Sequence, residues 1–343
     1  MTFTADAVLE NLMTIFSLPA GDAVEKLPTG AVVALGYFDG VHLGHRAIID
    51  TARREAEERG ACSAVWMISS RDGGYKKDSL EITDEAEKYA LLYGAGAKYA
   101  VVHAFPEVRG LTGEEFVRLV LKDELGVSCV VCGKNFRFGK GASMDSDALR
   151  MLCRDAGIDT VVVSHVTDEF GETVSSTKIR RLIADGEVEA ADLMLGRPYS
   201  FTSPVLEGKR LGRTIGFPTI NQIPKQGRLL PKNGVYAVCV EFFEGGMRKT
   251  YAGAANVGVC PTVSADVTDT VLTKEGVACA ERRVCETYIA DYEGELYGRC
   301  VTLRFLRRLR DEVAFSDISR LKEQISRDAA AAVQIYNEIY GKQ

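Results

Sequence analysis

The 343-residue sequence contains few histidines, little tryptophan and no surplus of basic charge. It has four histidines and one tryptophan, and its 42 lysines and arginines face 48 aspartates and glutamates, a formal net charge of −6. This acidic balance argues against a general nucleic-acid binder. No apolar run reaches the roughly 18 residues of a membrane span, so we expect no membrane partner. The N-terminus has no basic segment followed by a clean apolar core, so no signal peptide is expected.

The nine cysteines are odd in number and scattered along the chain. This usage is typical of reduced thiols in the cytoplasm rather than of a disulfide framework. One pair, Cys129 and Cys132, has the C-x-x-C spacing within an apolar run that predicts a strand. Residues three apart on a strand point to opposite faces, so we interpret this pair as structural rather than metal-binding.

The sequence pattern differs between the first and the second part of the chain. From residue 31 to about 185, valine-rich runs alternate with amphipathic segments, which predicts βαβ units and a parallel sheet. Within this part we expect helix caps at Thr83 and Thr112, the latter with Glu115 in a capping box, and a helix that ends at Gly60.

After about residue 200, glycine and proline separate short strands, and "EGG" marks a hairpin, so an antiparallel barrel or sandwich is predicted. The last segment, "DISRLKEQISRDAAAAVQIYNEIY", predicts one amphipathic helix. We therefore predict two domains, residues 1–185 and 186–343.

The stretch "GYFDGVHLGHRAI", residues 36–48, holds half of the histidines, at the place where a predicted strand turns into a helix. A helix N-terminus at this edge of a parallel sheet favours phosphate binding. His42 and His45 can then donate to phosphate oxygens as charge builds in a transition state, and we predict them as catalytic. The other interpretation is a tight turn with two surface histidines. The remaining residues of the turn that we predict to bind ATP are Gly36, Phe38, Asp39 and Gly44.

Two later segments can complete this site. "SSTKIR", residues 175–180, offers hydroxyls and cations to a triphosphate, and is alternatively an ordinary helix start. Its predicted ATP-binding residues are Ser176, Thr177, Lys178 and Arg180. "CGKNFRFGKG", residues 132–141, can line a flat ring and a phosphate, and is alternatively a loop of packed phenylalanines. The residues of this segment that we predict to bind the flat ring are Asn135, Phe136, Arg137 and Phe138.

The H-x-G-H and S-S-T-K-I-R elements are similar to the signature of the nucleotidyltransferase superfamily. With "GKRLGRTIGFPTIN", "LLPKNGVYAV", "GAANVGVCPTV" and "CETYIADYEGELYG" in order, the chain resembles the bacterial bifunctional riboflavin kinase/FAD synthetase family over nearly its whole length. The resemblance implies a Rossmann-like α/β nucleotidyltransferase domain and then an antiparallel β-barrel kinase domain with a C-terminal helix. It also implies that ATP phosphorylates riboflavin to FMN and adenylylates FMN to FAD.

The second predicted site begins at "EGKRLGRTIGFPTIN", residues 207–221, a basic, glycine-rich loop without the G-K-[ST] ending of a Walker motif. Such a loop can wrap phosphates or be a basic surface turn. Thr219 and Asn221 offer the neutral oxygens that suit Mg²⁺. The loop residues that we predict to bind ATP are Gly208, Lys209, Gly212, Gly216 and Pro218.

Glu286 is the candidate catalytic carboxylate of this second site. The alternation of "RRVCETYIADY" predicts Glu286, Tyr288 and Tyr292 on one strand face. The resemblance implies that Glu286 is a general base for the flavin's 5′-hydroxyl, whereas the residues alone also allow an idle charge at a rim. The predicted partners are riboflavin, FMN, FAD, ATP and Mg²⁺, without nucleic acid, for a monomer or weak homo-oligomer.

The chain departs from the family pattern at residues 69–77. The family's T-F-x-P-H-P motif is absent there, and a loop with Gly73, Gly74, Lys76 and Lys77 replaces it. An alternative function is therefore a riboflavin kinase whose first domain adenylylates weakly or acts on another acceptor. A flavin-binding protein without turnover is a third hypothesis, against which the presence of Glu286, Thr219 and Asn221 argues.

Overall fold

The computed structural model describes residues 13–18, 27–69, 80–207, 212, 215–260, 272–273, 276–277 and 282–341. The chain divides into two units, Met1–Lys178 and Ile179–Gln343. The sequence analysis placed the domain boundary after residue 185, and that placement stays a prediction about the functional domains.

The first unit is built on a six-stranded parallel sheet, as the alternating pattern predicted. Its strand order is β1-β4-β3-β2-β5-β6. The edge strand β1 was not predicted, because it precedes the alternating region and is recognised only by its pairing with β4. The strands are β1 (Thr14–Leu18), β2 (Val32–Leu35), β3 (Ser63–Ile68), β4 (Tyr99–His103), β5 (Cys129–Gly133) and β6 (Asp159–Val163).

Helices connect these strands, and a last helix follows β6 and continues past the boundary between the two units after Lys178. They are α1 (Leu43–Arg59), α2 (Glu85–Gly94), α3 (Phe105–Val108), α4 (Gly113–Glu115, continued by the π-helical Phe116–Glu124), α5 (Ser146–Ala156) and α6 (Ser176–Asp185). The capping box of Thr112 with Glu115 is confirmed by reciprocal hydrogen bonds of 3.2 and 2.9 Å. The predicted Thr83 cap is wrong: Asp84 caps α2 through the Glu87 amide at 2.8 Å.

The sheet is buried on both faces, which explains its continuous apolar strands. Along β5, Cys129 packs into the core on one face and Cys132 into the core on the other. The prediction that this C-x-x-C pair points to opposite faces is therefore confirmed. Burial raises the pKa of the Cys129 thiol to about 11 and that of Cys132 to about 12, so both thiols stay protonated at neutral pH.

The strand order creates a switch point beside β2. From β2 the chain adds β3 and then β4 on one side, and it returns to add β5 and β6 on the other. The connections that leave the carboxyl ends of β2 and β5 therefore diverge to opposite faces of the sheet. Such a divergence opens a crevice at the carboxyl edge, where ligands of open α/β sheets bind.

The second unit is a closed antiparallel barrel with the strand order β10-β13-β8-β7-β14-β9. The predicted hairpin at "EGG" joins β9 to β10, and Gly245 and Gly246 have the positive φ values of 58° and 78° that such a turn requires. The barrel strands are β7 (Ser200–Leu206), β8 (Thr219–Gln222), β9 (Gly234–Glu244), β10 (Met247–Cys260), β13 (Arg282–Ile289) and β14 (Cys300–Arg310), and a separate pair is β11 (Leu272–Thr273) with β12 (Gly276–Val277).

Two helices flank the barrel strands in the sequence of the second unit. Helix α7 (Val188–Leu195), which was not predicted, precedes the barrel, and α8 (Ile318–Tyr340) is the predicted C-terminal amphipathic helix. Asp317 caps α8 by accepting from the Arg320 amide at 2.9 Å. The apolar face of α8 packs on β9 and β10, and Arg310 of β14 binds the buried Asp328 of α8 at 2.7 Å. Within the described ranges of both units, no helix has the length and apolar character to cross a bilayer.

Candidate active sites

A cavity of about 480 Å³ opens at the carboxyl edge of the sheet in the first unit, at the switch point. Three sequence-distant segments line it: the turn after β2, the loop after β5 and the start of α6. The predicted site residues found in its lining are Gly36, His42, Gly44, His45, Asn135, Phe136, Arg137, Phe138, Ser176 and Thr177. The predicted residues Phe38, Asp39, Lys178 and Arg180 are not part of this lining.

The turn between β2 and α1 is unusually tight. Phe38 and Val41 have positive φ values of 55° and 38°, which side-chain-bearing residues rarely adopt. Both side chains are completely buried, so they anchor the turn in the core of the first unit. A Cβ on Gly36 would lie 3.0 Å from the Phe38 ring, so a glycine is needed there. Phe38 therefore supports the predicted ATP site from beneath, and its ring meets His45 edge-on at 5.2 Å.

His42 and His45 form one stacked pair at the start of α1, with ring centroids 3.6 Å apart. His42 is the N-cap of the helix, and its Nδ1 accepts from the His45 amide at 3.2 Å. Because Nδ1 supplies a lone pair to this bond, the neutral ring carries its proton on Nε2. A Cβ on Gly44 would lie 3.1 Å from the His42 ring, so glycine lets the ring occupy this position.

Asp39 has a structural function in this geometry. It is 0% exposed, and its carboxylate accepts from the Ile82 amide at 3.0 Å and from the Thr83 amide at 3.1 Å. The Thr83 hydroxyl in turn accepts from the Gly40 amide at 3.0 Å. The predicted direct contact of Asp39 with ATP does not fit this burial, because the carboxylate is directed at backbone amides that it anchors.

Replacing Asp39 with alanine is expected to destabilise the first unit by about 2–3 kcal/mol, because two buried amides would lose a charged acceptor. Chemical denaturation measures this change. The matched control is Asp50→Ala on exposed α1, which removes only surface ion pairs and should cost less than about 1 kcal/mol. Equal costs for the two variants would contradict the anchoring function of Asp39.

The segment of residues 175–180 contacts the turn between β2 and α1 through Ser176. Its hydroxyl donates to the Asp39 carbonyl at 3.0 Å, across 137 residues of sequence. Ser176 and Thr177 then lie at the cavity wall with the histidine pair. Lys178 is turned elsewhere, since its ammonium binds the Glu172 carboxylate at 2.5 Å. A direct triphosphate contact by Lys178 would require this ion pair to break.

The far end of the cavity is aromatic. Phe136 and Phe138 stack at 5.9 Å, and Phe116 meets Phe138 at 5.6 Å and Trp66 at 5.0 Å. All four rings line the cavity, while the exposed Arg137 stands at its rim, 3.7 Å from Asp145. The alternative of a loop of packed phenylalanines is therefore observed, and the binding of a flat ring by these residues stays a prediction.

Sequence reasoning missed Trp66 and two of the histidines of this region. His165 follows β6 and lines the cavity, and His103 ends β4 and accepts a hydrogen bond from Trp66, which also lines it. All four histidines of the chain therefore lie at one sheet edge. The available signal was the position of His103 and His165 at the ends of predicted parallel strands, which always share an edge.

In the second unit, three polar residues form one row across the barrel. Glu286 of β13 pairs with Asn221 of β8 on one side and with Asn256 of β10 on the other. Directly opposed residues in an antiparallel ladder point to the same face. The neighbouring Cys285 and Thr287 are buried, so this row faces away from the barrel interior. Thr219 lies two residues before Asn221 and shares its face.

The glycine-rich loop before β8 is described only in part. Gly208 and Lys209 lie outside the described residues. At Gly212 a Cβ would collide with the Phe217 carbonyl oxygen, and that glycine's own carbonyl accepts from the Phe217 amide at 2.8 Å. The Gly212 carbonyl also accepts from the Ile215 amide at 3.2 Å, so a hydrogen-bonded turn precedes β8, in which Gly216 has a φ of +86° and Pro218 is exposed.

The Glu286 carboxyl is solvent-accessible, but its pKa is raised above the usual range. The larger cause is partial exclusion of water by neighbouring protein atoms, and the smaller is the charge of Glu312. Glu312 in turn accepts from the Asn256 amide group at 3.1 Å. A carboxylate with a raised pKa is a stronger proton acceptor than an ordinary glutamate.

The aromatic neighbours of Glu286 differ in part from the prediction. Tyr288 shares its strand face and meets Phe217 edge-on at 5.4 Å. The predicted position of Tyr292 on that face is wrong, because β13 ends at Ile289 and Asp291 turns the chain with a φ of 55°. The Tyr292 ring instead contacts Tyr251 at 5.2 Å.

Both units of the chain match known protein families. The family model "FAD synthetase" matches residues 24–178, and "Riboflavin kinase" matches residues 195–336. The bifunctional riboflavin kinase/FMN adenylyltransferase of Pseudomonas fluorescens is 33% identical over 88% of this chain and 92% of its own length. The proteins of the same name from Escherichia coli strain K12 and Bacillus subtilis strain 168 are each 32% identical over 90% of this chain and 93% of their own length.

A crystal structure from Streptococcus pneumoniae, described as a macrolide-efflux protein, has the same fold. Its TM-score is 0.76 at 27% identity, with 94% of this chain and 99% of that chain covered. The two family models together account for most of the chain, in the order of its two units. The chain belongs to the family of bifunctional riboflavin kinase/FMN adenylyltransferases.

Proposed function

We propose that the second unit of this chain phosphorylates riboflavin to FMN and that the first unit adenylylates FMN to FAD, with ATP as co-substrate of both reactions. The observation that carries the proposal is the meeting of His42, His45 and Ser176 around one cavity with an aromatic end. Family membership supports both activities over a riboflavin kinase with an impaired first domain.

In the first unit, ATP would place its phosphates at the N-terminus of α1. That helix start has no acidic residue in its first turn, and the positive end of the helix dipole attracts anions. An oxygen of the FMN phosphate attacks the α-phosphorus of ATP, the bond from that phosphorus to the β-bridging oxygen breaks, and pyrophosphate leaves with the electron pair. No covalent intermediate with the protein is needed.

The histidine pair would stabilise the charge that develops at the α-phosphate. The His42 Nδ1 lone pair is used by the His45 amide, so the proton stands on Nε2 as a donor. Stacking of the two rings at 3.6 Å limits their rotation, which preorganises the donor before the substrates arrive. Ser176 and Thr177 would bind the departing phosphates from the opposite wall.

FMN would place its ring system against the phenylalanines of the far end. Phe136 and Phe138 offer stacked planar surfaces, and Asn135 can hydrogen-bond the polar edge of the flavin. Arg137 stands at the exposed rim, where it can attract the FMN phosphate. The predicted Lys178 and Arg180 would act at longer range, by the positive charge that they add to α6.

In the second unit, Glu286 would act as general base. It accepts the proton of the ribityl 5′-hydroxyl as that oxygen attacks the γ-phosphorus of ATP, and ADP leaves. The glycine-rich loop, including Gly208 and Lys209, would wrap the phosphates with backbone amides. The pairing of Glu286 with Asn221 supports this assignment, because the carboxylate lies beside a side chain whose neutral oxygen suits Mg²⁺.

Mg²⁺ fits the chemistry of Thr219 and Asn221, whose hydroxyl and amide oxygens share a strand face with Glu286. Among the residues that the structure describes, no cluster of three histidine, cysteine or carboxylate side chains forms a metal cage. The two neutral ligands would therefore hold the ion together with the ATP phosphates. When bound, Mg²⁺ neutralises phosphate charge and orients the γ-phosphoryl group.

Replacing Asn221 with alanine is expected to raise the Mg²⁺ concentration for half-maximal riboflavin phosphorylation about tenfold, because one ligand oxygen is lost. Initial rates at varied Mg²⁺ and saturating ATP measure it. Asn256→Ala is the matched control, since Asn256 lies on the other side of Glu286 and binds Glu312. An equal Mg²⁺ shift in both variants would argue against Asn221 as a ligand.

A direct test of both activities incubates the protein with riboflavin, Mg²⁺ and excess ATP and separates the flavins by chromatography. We expect FMN to appear first and FAD to follow. FMN without FAD would favour the alternative that residues 69–77, where the family motif is absent, impair the first site. No conversion at all would leave only flavin binding without turnover.

We also propose the cellular location and the oligomeric state of the enzyme that were predicted from the sequence. A cytoplasmic location is supported by free thiols at seven described cysteines, of which only Cys300 is exposed. We expect a monomer or weak homo-oligomer that does not bind nucleic acid, because the chain carries net negative charge. Light scattering of the purified protein would determine its mass in solution.

A further inference from the structure

Trp66, the single tryptophan of the chain, stands between the cavity and the hydrogen-bonded pair of His103 and Glu124. It lies near the end of β3, is 4% exposed, and lines the cavity wall. One side of the indole packs on Phe116 at 5.0 Å. Its Nε1–H donates to Nδ1 of His103 at 2.9 Å, and Nε2 of His103 lies 3.2 Å from the Glu124 carboxylate.

These distances define the direction of each hydrogen bond. An indole nitrogen only donates, so Nδ1 of His103 must supply the lone pair. The neutral ring then carries its proton on Nε2, from which it donates to Glu124. The three residues come from β3, β4 and the C-terminal end of α4, and they are separated by 37 and 21 residues of sequence. The two hydrogen bonds therefore point the same way, from Trp66 at the cavity wall through His103 to Glu124 at the surface.

We propose that Trp66 is a specificity-determining wall of the FMN site, and that His103 and Glu124 are positioning residues that hold its indole in the plane required by the flavin ring. The proposal rests on the proposed adenylylation of FMN in this cavity. Trp66 closes a series of four aromatic rings that continues through Phe116, Phe138 and Phe136. A planar tricyclic ligand needs such walls at fixed angles, since its stacking weakens when one ring rotates.

His103 holds more than the indole. Its carbonyl accepts from the Ser69 amide at 2.8 Å, directly after β3 ends at Ile68. The imidazole of His103 therefore holds the Trp66 indole, and its backbone carbonyl holds the chain where it leaves β3, the strand that carries Trp66. His103 itself is 5% exposed and absent from the cavity lining, so it acts on a ligand through Trp66 rather than by touching it.

The test is a double-mutant cycle of Trp66→Phe and His103→Leu, with KM for FMN in FAD formation as the readout. Each single variant is expected to raise this KM about fivefold, the equivalent of one lost hydrogen bond. If His103 acts only through the indole, His103→Leu adds nothing when Trp66 is already phenylalanine. Additive effects would overturn the proposal, as would an unchanged KM in both single variants.

Two further readouts separate positioning from general damage. The fluorescence anisotropy of Trp66 is expected to fall in His103→Leu, because the indole gains rotation, and to recover in His103→Gln, which restores an acceptor and a donor. KM for ATP in FAD formation and the rate of riboflavin phosphorylation should stay unchanged. Equal rises of KM for ATP and for FMN, or an unchanged anisotropy, would count against the positioning role.

Failure of the proposed function can be distinguished from failure of this inference. If the wild-type protein makes no FAD, FMN is titrated against Trp66 fluorescence without ATP. The inference then requires that FMN quenches Trp66 and that His103→Leu shifts the half-quenching concentration upward about fivefold. An unshifted titration, or no quenching, rejects it.

Discussion

Replacing Glu286 with glutamine is expected to lower the rate of riboflavin phosphorylation by about 10²- to 10⁴-fold, the range that general-base catalysis supplies. Glutamine has the same shape but cannot accept the ribityl proton. The side chain projects from a strand between Asn221 and Asn256, so an amide is accommodated there without a change in packing. Timed chromatography of FMN formed from riboflavin measures the loss.

The matched control is Glu241→Gln in the same barrel. Glu241 is a structural carboxylate that binds Arg248 at 2.6 Å and Arg304 at 3.2 Å. Its replacement is expected to lower the thermal stability of the second unit while FMN formation at low temperature persists. Conversion of supplied FMN to FAD should be unaffected in both variants. If Glu286→Gln forms FMN at the wild-type rate, the base assignment is wrong.

Replacing His42 with asparagine is expected to lower the rate of FAD formation by about 10²- to 10³-fold, the cost of one preorganised donor at a developing charge. The choice of asparagine separates two functions of His42. Asparagine is a favourable N-cap, so the bond to the His45 amide can persist and α1 should keep its start. Only the imidazole donor and its stacking on His45 are lost.

The control for this variant is Asp84→Asn, a change of capping residue at the start of α2 in the same unit. It should leave FAD formation within about twofold of wild type, since asparagine caps as well as aspartate. Riboflavin phosphorylation serves as an internal reference in both variants. A His42→Asn protein that is folded and makes FAD at an undiminished rate would remove the histidine pair from the catalytic mechanism.

Local signals accounted for the elements that the sequence analysis predicted correctly. The Thr112 capping box, the Gly245–Gly246 hairpin and the start of α8 after Asp317 each depend on residues a few positions apart. The opposite faces of Cys129 and Cys132 follow from the strand repeat alone. The incorrect cap at Thr83 arose because two adjacent residues, Thr83 and Asp84, are both good caps.

Two of the site predictions involve contacts that the sequence does not show. Asp39 was assigned to ATP because it lies in a turn that favours phosphate binding, whereas its carboxylate accepts from amides 43 and 44 residues away. Lys178 was assigned by its charge, and its contact with ATP stays a prediction, since its ammonium pairs with Glu172. Trp66 was overlooked because nothing near it in the sequence distinguishes a core indole from one that borders a cavity.

By itself, the sequence of this protein determined most of its strands and helices, the α/β character of its first part and the β character of its second, and the motifs that place it in its family. These depend on periodicity, turn residues and caps, which act over a few residues. Only the tertiary structure decided which distant groups meet at the site: the Asp39 carboxylate with the amides of Ile82 and Thr83, and His103 with Trp66. Such contacts join residues that only the order and direction of the strands bring to one edge, and no local pattern encodes them.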